Sequence, residues 1–187
     1  MTNAIKQNPT HNYWFIHRYC FERRPLLKAH RNANRTSLIG QLAGGVLARA
    51  TMQHGVTLYA YAFYSTRMFL IVGAPGHEVS LFNKFLFANL TRRITPLCKP
   101  AWSDTLWEHR AKVVAIDPLH LGEHVAAARL VQPAKHTVLH FDLEAKRRLP
   151  EPYPWFTGRP GDFNNVHLLR LRVTTPPGEN SVVLAEG

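Results

Sequence analysis

His120-Leu-Gly-Glu-His124 has the H-x-x-E-H spacing of a zinc-peptidase motif. On a helix, residues four apart share a face, so the two imidazoles could chelate one ion. Gly122 weakens such a helix, and no third ligand is evident. His136 and His140 repeat the spacing, but on a strand they would stand about 13 Å apart and could not share an ion. Cys20 and Cys98 belong to neither a C-x-x-C pair nor a Cys/His cluster, which argues against a zinc finger and against a disulfide framework. The expectation is therefore no metal and no cofactor. The glycine-rich nucleotide loops GxxxxGK[ST] and GxGxxG and the nucleophile elbow GxSxG are absent.

The remaining chemistry is that of cations. Lys and Arg number 23 against 12 Asp and Glu in 187 residues, a formal net charge of +11. Sixteen of the 23 are Arg, and residues 1–77 hold nine basic residues against one acid, Glu22. Folding does not require that imbalance. It implies a polyanionic partner, most simply nucleic acid. Arginine in place of lysine favours forked phosphate contacts and stacking on bases. The candidate contacts are Arg18, Arg23, Arg24, Arg31, Arg35, Arg67, Arg92, Arg93, Arg110, Lys112, Lys146, Arg147 and Arg148. Tyr13, Trp14, Phe15, His17, Arg18 and Tyr19 interleave aromatic and basic groups, which suits unpaired bases, although one face of such a strand must also pack. No apolar run approaches a membrane span, and the first residues lack the apolar stretch of a signal peptide. The expected setting is the cytoplasm, at the nucleoid, with no membrane partner.

These residues must be held by a core, and 45% hydrophobic with 11% aromatic residues can build one. Residues 13–20 read as an aromatic strand that runs into a basic loop, 21–35. Thr36 or Ser37 can cap a helix that continues to His54 and stops at Gly55, with Leu38, Leu42, Val46 and Ala50 inward. Two strands, 56–63 and 68–72, follow, with Tyr59 and Tyr61 on one face. A turn at 73–77 leads to a second helix, 79–94, with Val79, Phe82, Phe85, Leu86, Leu90 and Ile94 inward and Arg92 and Arg93 in its last turn. Pro96 and Pro100 bound a loop. Residues 106–116 end in a strand, Pro118 opens a third helix over 119–131, and 136–142 fit either state. The order strand, helix, strand, strand, helix, strand, helix predicts an α+β chain. Its fold is a ferredoxin-like antiparallel sheet with helices on one face plus an extra helix on the C-terminal side. The expected division is a loose tail at 1–11, one domain at 12–157, and an irregular extension at 158–187 with a late strand at 166–174.

Four stretches resemble, in order, the single-tyrosine HUH transposases, in particular the REP-associated tyrosine transposases. They are Asn12-Tyr-Trp-Phe-Ile-His-Arg-Tyr-Cys-Phe-Glu-Arg-Arg24; His54-Gly55-Val56 leading into Leu58-Tyr-Ala-Tyr61; Leu106-Trp-Glu-His-Arg110-Ala-Lys-Val-Val; and Glu151-Pro-Tyr-Pro-Trp155. The resemblance covers about 12–157 and implies binding of structured single-stranded DNA, such as a hairpin with a flanking tail; the family is dimeric or monomeric by branch, so a homodimer or a larger nucleoprotein assembly stays open.

The departures from that family fall where it does its chemistry. Its PNHVHLLL motif aligns with Ser65-Thr66-Arg67-Met68-Phe69-Leu70-Ile71-Val72, so the two metal-binding histidines fall on Arg67 and Phe69. The helix that supplies the tyrosine nucleophile aligns with Leu121-Gly-Glu-His124-Val, which places the tyrosine on or near His124. An arginine stays protonated and has no lone pair for a cation, and a phenylalanine has no donor. The resemblance therefore implies a DNA-binding relative without strand cleavage, in which Arg67 can hold a phosphate directly. Two alternatives stay open: an active transposase or nickase that uses other residues (Tyr64 with Arg67 and His124, for instance), and an RNA-binding or protein-interaction subunit.

Overall fold

In the computed structural model, residues 12–27, 38–98, 105–130, 137–140 and 173–177 are described. Five strands form one antiparallel sheet: β1 (Tyr13–Tyr19), β2 (Thr57–Tyr64), β3 (Arg67–Gly73), β4 (Lys112–Ile116) and β5 (Thr137–His140), in the order β4-β1-β3-β2-β5. The first four reproduce the ferredoxin-like order, and β5, from the segment that sequence left open, extends the sheet beside β2. Among the described residues three α-helices connect them: α1 (Leu38–His54), α2 (Gly76–Cys98) and α3 (Leu121–Leu130).

Side-chain alternation divides the sheet into two faces. Ile16 of β1 and Met68, Leu70 and Val72 of β3 are fully buried toward the α1/α2 layer. Phe82, Leu86, Leu90 and Ile94 close the core from α2, as their helical spacing predicts. Each such side chain stabilises the fold by about 1.5–3 kcal/mol. Helix α1 is buried nearly all round from Ile39 to Ala48, because it is apolar on every side and packs between the sheet and α2. It ends as expected at Gly55, whose φ of +58° is a left-handed conformation that glycine adopts without strain.

The opposite face carries Phe15, His17, Phe69 and Ile71, and α3 lies over it, anchored by Leu121, Val125 and Ala128. Asp117 opens the turn into α3, its carboxylate accepting the Leu119 N–H at 2.9 Å.

Four local expectations need correction. Helix α2 starts at Gly76 and runs through Pro96 to Cys98, so Arg92 and Arg93 lie more than a turn from its end. Proline removes one N–H bond near a terminus, where the helix can lose it and still finish the turn. Tyr59 and Tyr61 do not share a face, because the β2–β3 register shifts between Leu58 and Ala60. That bulge sends Tyr59 toward Tyr13 (ring centres 5.7 Å apart), whereas Tyr61 pairs with Leu70 on the α1/α2 side. The third helix begins at Leu121 and not at 119, because His120 still belongs to a 3₁₀ turn (Pro118–His120) that runs directly into α3. Val173 and Thr174 are not in a strand, although the Thr174 N–H donates to the Leu58 carbonyl at 2.7 Å; the rest of 166–172 lies outside the described residues.

Candidate nucleic-acid interface

The register of β1, β3 and β4 places chemistry in rows. Lys112 pairs with His17, His17 with Phe69, and Phe69 with Ala62, so the four residues form one row across the same face of the sheet. One step away, Tyr19 pairs with Arg67, and on the other side Phe15 pairs with Ile71. Directly opposed residues point to the same side of a sheet, so two cations, an imidazole and two phenyl rings converge there.

Helix α3 completes a cavity over these rows. Its volume is about 410 Å³, and Phe15, His17, Tyr64, Arg67, Phe69, Ile71, His124, Ala127 and Ala128 line it. Arg67, Phe69 and His124, singled out by the motif resemblance, therefore meet in one place. The rings of Phe15 and Phe69 stack at 6.0 Å, nearly parallel at 26°. Tyr64 forms another wall, 6.3 Å from Phe69. Its hydroxyl is buried with no hydrogen-bond partner. Burial pushes that phenol up from its ordinary value, and Arg67 pulls weakly the other way.

A second, smaller cleft adjoins the first through His17. It is lined by His17, Arg18, Tyr19, Glu108, His109, Arg110 and Lys112, with a volume of about 180 Å³. A Cys20–Trp107 bridge and the bond from the Glu108 N–H to the Tyr19 carbonyl (3.1 Å) bring 106–110 alongside β1. Arg23 folds back over the Tyr19 ring at 4.4 Å, in a turn where both Glu22 and Arg23 have positive φ (49° and 53°). Such left-handed conformations are costly for residues with a Cβ and gather at functional turns. The His17 imidazole is held below its ordinary pKa, first by burial and then by Arg67, Lys112 and Arg23. Those three cations surround a single point on the sheet.

The other basic candidates are placed differently. Arg18 belongs to the α2 face; its guanidinium lies 4.5 Å from the Phe87 ring centre and 5.4 Å from that of Trp107, and its Nε donates to the His109 carbonyl at 2.6 Å. Burial lowers its pKa to about 10. Trp107 packs: it is buried, edge-on to Phe87 at 5.3 Å, and its Nε1 donates to Thr91 Oγ1 at 3.1 Å. Arg24 is paired with Glu22 at 2.6 Å, and Arg92 and Arg93 belong to α2, in the layer opposite the cavity. Arg31, Arg35, Lys146, Arg147, Arg148 and the stretch Glu151–Trp155 lie outside the described residues. His17 and Tyr64 were not among the basic candidates. Period-two alternation along β1 puts His17 with Phe15, but only the long-range register with β3 puts it beside Phe69.

A divalent cation does not fit the donors gathered here. Arg67 repels it, Phe69 offers no lone pair, and His17 and His124 are the two imidazoles lining the cavity. Among the described residues no three His, Cys, Asp or Glu side chains come together as a metal-holding group. Likewise among the described residues, no helix is long and apolar enough to cross a membrane.

Solved structures are similar to this chain, among them the following two. One is a candidate transposase from Deinococcus radiodurans R1, 19% identical, covering 72% of this chain and 99% of its own, with a TM-score of 0.48. The other is a REP-associated tyrosine transposase bound to a REP hairpin, 13% identical, covering 79% of this chain and 87% of its own, with a TM-score of 0.42. No family model and no curated protein matches the chain.

Proposed function

We propose that this chain is a nucleic-acid-binding protein built on the plan of a REP-associated tyrosine transposase, and that its former cutting centre now grips DNA. The ligand is structured DNA, a hairpin with an unpaired flank, and the binding unit is 12–157. The observation that carries this reading is the meeting of Arg67, Phe69 and His124 in one cavity. These are the positions where the resembled family keeps two metal ligands and a nucleophile. The replacements cannot hold a cation or attack phosphorus as a phenolate, but a guanidinium can fork onto a phosphate and a phenyl ring can stack on a base. Arg23, Arg67 and Lys112 around His17 supply the positive field that a phosphate backbone needs.

The test is equilibrium binding by fluorescence anisotropy at several salt concentrations. The probes are a hairpin with a single-stranded flank, the matched duplex, and an RNA of the same sequence. The reading expects the hairpin to bind tightest and log affinity to fall linearly with log salt. Negligible, salt-independent affinity for all three would transfer the protein to the class of interaction subunits. Tightest binding to the RNA would make it an RNA-binding module.

A further inference from the structure

We propose that the cavity between the sheet and α3 receives one unpaired nucleobase of the bound DNA strand, with the phosphates on either side resting on the cations at its mouth. This deepens the DNA-binding reading and rests on it.

The walls select the ligand. The lining is chiefly apolar and aromatic: the stacked pair Phe15 and Phe69, then Ile71, Ala127 and Ala128. Such a surface takes a planar, π-faced group. A cavity of about 410 Å³ has room for a single base with its sugar, whereas a base pair in a duplex presents only its edges and cannot enter. A free phosphate would leave the aromatic wall unused, and a metal ion meets Arg67. An aliphatic ligand would leave Tyr64 unsatisfied.

Tyr64 is the second, independent observation. It is only 8% exposed, and its hydroxyl lacks a partner. A buried hydroxyl without a hydrogen bond is unfavourable, and proteins rarely leave one so unless another molecule completes it. A base edge would bring donors and acceptors to that wall, and a small rotation of the Tyr64 ring would turn its buried hydroxyl onto them, as donor or acceptor.

The entrance matches the rest of a nucleotide. Arg67 is exposed at the turn end of β3, and His124 is exposed on α3 across from it. His17 joins the cavity to the cleft that holds Arg110 and Lys112. A strand that tucks one base inward can therefore lay its neighbouring phosphates on Arg67 and along Lys112. Ala60 and Ala62, paired with Ile71 and Phe69, keep the β2 side of the floor shallow.

The experiment walks a single abasic site along the flank of the hairpin and measures affinity at each position with the full chain. One position should cost roughly tenfold or more while its neighbours cost little. A 2-aminopurine at that position should change its fluorescence on binding. In Phe69→Ala the abasic penalty should vanish while salt-dependent binding persists. Tyr64→Phe separates a ligand contact from a structural one: it should leave the melting temperature unchanged or raised, because the hydroxyl has no partner to lose, yet weaken binding several-fold. Equal affinity at every abasic position, with salt-dependent binding intact, overturns the base pocket alone. Absence of any DNA binding overturns it together with the proposed function. Tyr64→Phe that lowers stability and leaves affinity untouched also counts against it.

Discussion

The guanidinium carbon of Arg67 lies 5.4 Å from the centre of the Tyr64 ring, the two residues separated only by the Ser65–Thr66 turn between β2 and β3. The ring steadies a cation that remains exposed, which suits a group meant to meet a ligand's charge.

Arg67→Ala should therefore weaken DNA binding and lower the slope of log affinity against log salt by about one. Arg24, held by Glu22 and lining neither cavity, is the control, and Arg24→Ala should leave that slope unchanged. Anisotropy titrations of both variants on the hairpin probe measure the difference. Equal slopes for Arg67→Ala and the unaltered protein would remove Arg67 from the interface.

His17 gives a pH dependence with a definite sign. Burial, Arg67, Lys112 and Arg23 hold its pKa below the ordinary 6.5, so the imidazole is neutral at pH 7; Glu108 is the acid that lines the adjoining cleft. Phosphates placed on those cations offset their repulsion and favour the imidazolium, so binding takes up a proton. Affinity should rise as pH falls below 7, and His17→Gln should flatten that rise. The free protein behaves oppositely. With a depressed folded pKa, the unfolded chain binds the proton first, so stability is complete above 6.5 and is lost as pH falls through the folded value. Opposite pH trends for affinity and for stability are the signature, read from anisotropy and from thermal melts.

Arg18 is expected to be structural although it lines the smaller cleft. It stacks on Phe87 and Trp107 and bonds the His109 carbonyl, fixing the segment that carries Arg110 and Lys112. Arg18→Met keeps the apolar stem and removes the planar cation, which should cost about 1–3 kcal/mol of stability. It should weaken binding without changing the salt slope, because no phosphate contact is lost. Denaturant unfolding and salt titration of the same variant separate the two effects. A slope lowered by one would make Arg18 a phosphate ligand instead.

Much of this arrangement was legible in the residues. Helical spacing of Phe82, Leu86, Leu90 and Ile94 and the adjacent runs at 56–63 and 68–72 give the element order, and that order gives the sheet. The two-residue spacing of Arg67 and Phe69 already puts them on one face. The bulge at Tyr59 was not legible, since nothing in an apolar alternating run marks where a register shifts. The passage of α2 through Pro96 was missed because proline signals an end without saying how many residues follow it. His17 was legible as one of the interleaved groups of β1, but its place beside Phe69 and Lys112 depends on pairing with residues about 50 and 95 positions away, which local pattern does not encode.

The central claim is that this site grips and does not cut. The direct measurement is incubation of the full chain with labelled hairpin DNA and magnesium or manganese, followed by denaturing electrophoresis. The account predicts retained, salt-sensitive binding under native conditions and no covalent protein–DNA adduct and no strand cleavage under denaturing ones. An adduct that depends on the added metal, or a cleaved flank, would contradict it and return the protein to the active transposases.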